Sequence, residues 1–374
     1  MIFRNFVFFF FLGLCSQTFA ATWTELPNSN LRPHAWDWSP HPTPGVFASI
    51  MGAWSGGTMD TDKNRLLIFG GGHADYGGQE IYAFDLRTHA WSLVAEPENY
   101  EDLDVTCSLG GNVTVNGFPK SVHSYDRNVY FPERKSFCFT TGSIGYPTCD
   151  MAYRELACYS FETKKWSFET AGIRTRHGGG AGATASRHQL TGEWWYQGTG
   201  SSTTARLGRF QPKTNVWEYG GYCNFMASTH NKVSAIDPHK SKLVIIDHAG
   251  RVYILDLDEF VPGTTRMQNH RVVTKGDIEI LNSSDRMGLA YDMKHRKMVG
   301  WAGGKVIYIL DLDSLEWIKK KTVGDHPGPP LSNGTFGRFA YSEESQVFVL
   351  ANGVDSNIFL LSLDGLDIGG SPGD

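Results

Sequence analysis

Leu66-Leu-Ile-Phe-Gly-Gly-Gly-His-Ala-Asp-Tyr-Gly-Gly-Gln-Glu-Ile-Tyr-Ala-Phe-Asp-Leu-Arg-Thr-His-Ala-Trp91 decides the fold. A short apolar run stops at three glycines, 70–72. A polar, Gly-rich loop follows, then an alternating apolar stretch, a turn and a Trp. Short apolar runs bounded by Gly read as strands. Asp-Leu-Arg-Thr reads as a tight turn, because Asp bonds backbone amides ahead of it. The loop also carries His73, Asp75 and Tyr76, which a plain strand crossing does not need.

The same order recurs along the chain. It appears in 123–166, closing at Cys158-Tyr-Ser-Phe-Glu-Thr-Lys-Lys-Trp166, and again from Gly192-Glu-Trp-Trp-Tyr to Trp217. Ala235-Ile-Asp-Pro-His-Lys, Leu289-Ala-Tyr-Asp-Met-Lys and Phe339-Ala-Tyr-Ser-Glu-Glu open three more repeats. Each unit is one four-stranded sheet that buries its faces only against its neighbours. The expected fold is therefore all-β, a single β-propeller of four-stranded antiparallel blades. Six blades are counted. Seven stays open if 33–45 or 260–280 hides a degenerate one. The last repeat lacks its outer strand, and Thr22-Trp-Thr-Glu-Leu26 reads as the strand that supplies it and closes the ring. Trp91, Trp166, Trp217 and Trp317 share one repeat position and read as packing residues.

These repeats resemble the kelch and galactose-oxidase central-domain superfamily over nearly the whole chain after residue 20. Ala53-Trp-Ser-Gly-Gly, Gly70-Gly-Gly-His-Ala-Asp-Tyr and Asn333-Gly-Thr-Phe-Gly-Arg-Phe are similar to segments of exported bacterial propellers. The resemblance implies the fold. Kelch propellers serve as binding modules, oxidases and polysaccharide lyases, so it leaves the activity open. Copper oxidation like that of galactose oxidase is not expected, because no candidate Cys–Tyr pair stands out.

The chain has 374 residues, with 42 Gly and a net charge of −5. No basic stripe is present, so nucleic acid is not an expected partner. Residues 1–20 read as a signal peptide: one Arg, then Phe6-Val-Phe-Phe-Phe-Phe-Leu-Gly-Leu, then Thr18-Phe-Ala20 as the cleavage site. The apolar run is too short to span a bilayer. Residues 21–374 form the propeller domain, expected to be secreted or periplasmic. A lipoprotein is the lesser alternative, since Leu14 before Cys15 is not small. Of the remaining Cys107, Cys138, Cys149, Cys158 and Cys223, four cluster in one blade and its loops. One or two disulfides are expected there, with connectivity open.

In a propeller the innermost strands start on one face, and the loops between second and third strands return to it. Strand starts bring Trp54, His123, His230, Arg286 and Arg338 to that face, with His177 before the third blade. Loops bring His73, Asp75 and Tyr76, then Tyr146, Asp150, Ser201, Ser202, His248 and Asp355. Long connections at 95–122 and 259–285 elaborate the same face, where function concentrates. Arg286 and Arg338 suit a carboxylate or sulfate. His123, His177 or His230 suits a general base, and Tyr76 or Tyr125 a proton donor. Together they fit β-elimination on an anionic, uronate-containing polysaccharide. The catalytic set is His123, His230, Tyr125, Arg286 and Arg338. The substrate-binding set is His73, Asp75, Tyr76, His177 and Trp54. No cofactor is expected, and metal binding is left open: His73 either bridges its own loop or joins Asp75 on a metal. Either Arg equally fits a strut to loop carbonyls. The competing reading is a non-catalytic glycan- or protein-binding propeller.

Overall fold

A computed structural model describes residues 20–72, 75–103, 113–140, 143–145, 149–151, 155–170, 182–198, 206–222, 231–264 and 270–366. The described strands form six four- or five-stranded blades and one small two-stranded sheet. Blade 1 runs Gly57–Asp60, Arg65–Phe69, Ile81–Asp85 and Ala90–Ala95 from the axis outward. Blades 2 to 5 begin at Asn128–Phe131, Thr184–Arg187, Val233–Asp237 and Gly288–Asp292. Blade 6 contains Phe339–Ser342, Val347–Ala351 and Ile358–Ser362. Its outer strand is Thr22–Leu26, antiparallel to Ile358–Ser362 in the register Trp23 to Leu361. Each inner strand touches the next, and the sixth touches the first, which closes the ring.

The seventh-blade alternative is not realised. Residues 33–45 contain a turn of 3-10 helix and bends. Within 260–280, Arg271–Val272 and Lys275–Gly276 pair with blades 4 and 5.

The repeat is visible in the backbone. Asn64, Lys135, Ser241, Arg296 and Gln346 have φ of +50 to +55° or +46°, each just before a second strand. His89, Lys164, Asn215 and Leu315 repeat this before fourth strands, with φ of +55 to +58°. Asp85 Oδ1 accepts from the amides of Arg87 and Thr88, and Asp311 Oδ1 from those of Asp313 and Ser314. These bonds hold the turn that the Asp-Leu-x-(Thr/Ser) pattern predicts.

The core lies between blades. Trp91, Trp317 and Trp23 are each at most 5 % exposed. Trp23 meets Trp301, Phe339 and Phe359 at 6.2–6.4 Å between ring centres. Cys138 and Cys158 face each other across paired strands of blade 2 and form a disulfide. The side chains of Cys107, Cys149 and Cys223 lie outside the described residues, as do residues 1–19. No described helix is long and apolar enough to cross a membrane.

Trp23→Ala removes the aromatic centre of the closing strand. It should cost roughly 3–5 kcal/mol, the range for truncating a buried aromatic. Urea unfolding checks this; a loss below about 1 kcal/mol would show that the closing strand is dispensable.

Candidate functional site

The Gly-rich loop of blade 1 folds onto the segment leading into blade 2. Ser121 Oγ accepts from the amides of Gly71 (3.1 Å) and Gly72 (2.9 Å). Gly72 has φ +86°, and a Cβ there would lie 2.2 Å from His123 Cδ2, so only glycine fits. This contact sets the height of Asp75 over His123. The His123 Nε2 is 2.7 Å from Asp75 Oδ2. His123 is 2 % exposed, while the Asp75 side chain keeps 36 %. Trp54, half-buried, inclines over the imidazole at 4.9 Å, and Tyr125 meets it edge-on at 5.9 Å. Four of the ten expected site residues thus come together.

Backbone strain holds this group. Trp54, Tyr125 and Phe336, each shortly before an inner strand, have φ of +50°, +46° and +50°. Large side chains avoid that region at a cost of order 1 kcal/mol each, so packing must impose it. The Tyr125 amide donates to Trp54 O at 2.7 Å, and Tyr125 crosses Phe336 edge to face at 5.9 Å. One apolar cluster joins Tyr125 of blade 2, Val233 of blade 4, Met287 beside blade 5 and Phe336 beside blade 6. Blades 2, 4, 5 and 6 thus contribute to one cluster near the starts of the inner strands. Tyr125 and Phe336 thus set aromatic rings among the inner-strand starts, where the sequence reading gathers His and Arg side chains.

Tyr76 is not offered to a ligand. It is fully buried, its hydroxyl donates to Glu80 Oε1, and it accepts from Trp38 Nε1 at 3.1 Å. Trp38 brings the 33–45 segment down as a cover over the loop. Glu80 is buried, its Oε2 has no hydrogen-bond partner among the described residues, and burial pushes its carboxyl up to about 7.

The two expected arginines part company. Arg338 is fully buried: Nε donates to Ser55 O at 2.7 Å, Nη1 to Ala351 O at 2.5 Å, and Nη2 to Gly334 O. Burial lowers its guanidinium to about 9. These bonds make it a strut between blades 6 and 1, the structural alternative weighed for it. Arg127 does the same in blade 2, donating to Ser124 O, Thr140 O and His123 O at 3.2, 3.0 and 2.5 Å. The sequence reading missed Arg127. The signal was present: Tyr125-Asp-Arg127 and Phe336-Gly-Arg338 occupy the same place in the repeat. Arg286 is exposed, with Nε 3.5 Å from its neighbour Asp285. Asp355 is tied to Arg32 at 2.7 Å, and His248 is exposed. His73, His177, His230, Tyr146, Ser201 and Ser202 lie outside the described residues, and so does the side chain of Asp150.

Among the described residues, no group of three His, Cys, Asp or Glu side chains is placed to hold a metal ion. No family model matches the chain, and no curated protein matches its sequence. Among solved structures, a fungal alcohol oxidase of the AA5 family, in complex with copper, is similar over 86 % of this chain and 76 % of its own. The TM-score is 0.42 and the identity 10 %. At that distance no activity passes from one protein to the other, and the fold rests on the strand pairing above.

Arg338→Met should lower stability by about 3–5 kcal/mol, since three carbonyls lose their donor. Arg286→Met should stay within about 0.5 kcal/mol. Equal thermal shifts for the two variants would contradict the strut assignment.

Glu80 gives a pH signature. Its carboxyl titrates near 4.5 unfolded and about 7 folded, so the native state holds a proton longer. Its stability contribution is full below pH 4.5 and is lost as pH rises to about 7, by roughly 3 kcal/mol in all. In urea titrations, Glu80→Gln should gain on the wild type between pH 5 and 7. A constant difference between the two would refute the assignment.

Proposed function

We propose that this is an exported, carbohydrate-active propeller that cleaves a uronate-containing polysaccharide by β-elimination on the axial face of His123. The observation that carries the reading is the His123–Asp75 pair at 2.7 Å beneath the half-buried ring of Trp54. A carboxylate on one ring nitrogen orients an imidazole as a base, and an aromatic ring offers a sugar an apolar face.

In this scheme His123 takes the proton from the carbon beside the uronate carboxylate. The bond to the leaving glycosidic oxygen breaks, and a carbon–carbon double bond forms. Tyr125 supplies the proton to the leaving oxygen. Burial pushes its phenol up to about 12, so it is protonated at neutral pH. Arg286, exposed on the same face, pairs with the carboxylate. Export is the expectation from residues 1–20, and the Cys138–Cys158 disulfide suits an oxidising compartment.

One observation favours a second reading, binding without turnover. His123 is only 2 % exposed, so a substrate carbon must displace loop atoms to reach it.

Incubation with uronate polysaccharides should produce ultraviolet absorbance from unsaturated ends. His123→Ala should reduce it by about 10²–10⁴-fold, with the thermal midpoint held within a few degrees. Binding without absorbance on any such substrate would favour the second reading. Neither binding nor absorbance would overturn the proposal.

A further inference from the structure

A cavity lies on the axis beyond the Tyr125–Phe336 contact. It has a volume of about 170 Å³ and is lined by the inner strands of all six blades. Its lining runs from the strand starts, at Gly57, Asp126 and Gly337, to their ends, at Thr61, Gln189 and Glu343. It therefore extends toward the face of the short hairpin turns, away from His123.

Its polar wall is built from a carboxylate and hydroxyl groups. Asp126 Oδ2 accepts from the Ser234 amide at 2.8 Å and from Thr184 Oγ1 at 2.7 Å. Thr184 Oγ1 is 2.6 Å from Ser234 Oγ, which is 2.8 Å from Ser186 Oγ. Each hydroxyl has one proton. The single Thr184 proton is shared between Asp126 and Ser234, and either hydroxyl can donate in the Ser186–Ser234 pair. Asp126, Ser186 and Ser234 line this side of the cavity. Asn128, two residues on and 7 % exposed, adds an amide oxygen with no partner among the described residues.

The opposite wall, with Leu289, Ala290, Phe339 and Ala340, is mostly apolar, joined by the phenols of Tyr291 and Tyr341, which stay neutral below about pH 9. Arg187, the one basic lining residue, is already paired with Glu133 at 2.8 Å. The site thus offers a carboxylate and oxygen acceptors on one side and mostly hydrocarbon on the other. We propose that this axial cavity binds a small primary ammonium compound, its charged head on Asp126 and Ser186 and its short apolar body against blades 5 and 6. A hollow near 150 Å³ accommodates a benzene-sized molecule, so a body of about four carbons fits.

Burial holds the Asp126 carboxyl near 7, against Thr184, Ser234 and the Gly337 amide, with Glu343 and the paired Arg187 further along the cavity. An ammonium ion needs the ionised form, so affinity should rise with pH.

Isothermal titration calorimetry of the full chain with butylammonium chloride tests this. Binding should be saturable and roughly tenfold tighter at pH 8 than at pH 6, following the ionised fraction of Asp126. It should vanish in Asp126→Asn and weaken in Ser186→Ala. Butanol, which lacks the charge, should bind at least tenfold more weakly than butylammonium. Butanol binding as tightly, potassium binding in place of butylammonium, or a pH-independent affinity would overturn the proposal. These wild-type results decide it even if the Asp126 variant fails to fold.

Discussion

The pairing of Thr22–Leu26 with Ile358–Ser362 joins the two ends of the propeller, more than 300 residues apart. Every blade buries its faces against two neighbours, so an open ring would expose two apolar faces at once. Trp23 shows how the closure is held. It takes the place that Trp91, Trp166, Trp217 and Trp317 hold in other blades, and it packs on Trp301, Phe339 and Phe359. The inner strands then approach the axis from six directions, and their starts have little room.

That crowding shapes the chemistry. Tyr125 and Phe336 take left-handed backbone conformations, and their rings meet edge to face among the inner-strand starts. Arg127 and Arg338 tie the carbonyls that this geometry leaves pointing inward. The ring carries two distinct environments along its axis. On one side an imidazole, a carboxylate and a Trp ring meet beneath a Gly-rich loop. On the other, a buried carboxylate and a chain of hydroxyls face a mostly apolar wall. Neither environment depends on residues from one blade alone.

Blade architecture was legible because it is local. Apolar alternation, Asp-led turns and the recurring Trp each act within about 40 residues. The closing strand was legible too, since the last repeat lacked one and Thr22–Leu26 alternated correctly. The roles of individual side chains were harder to read. Arg286 and Arg338 look alike in sequence, both leading into inner strands, yet one is exposed and the other buried on three carbonyls. What separates them is the path of Ser55, which blade 1 supplies, and of Ala351, on the second strand of blade 6. Tyr76 looked available in a polar loop. Trp38, from a segment 38 residues earlier, covers it. The His123–Asp75 contact was anticipated only as a shared face, because its distance depends on Gly72 packing against the imidazole.

A crystal structure with a uronate oligosaccharide bound tests the central claim most directly. The account predicts a sugar ring stacked on Trp54, with its acidic carbon within reach of His123 and its carboxylate toward Arg286. A saccharide seated on the opposite face, or on the outer edge of a blade with Trp54 uncovered, would contradict it.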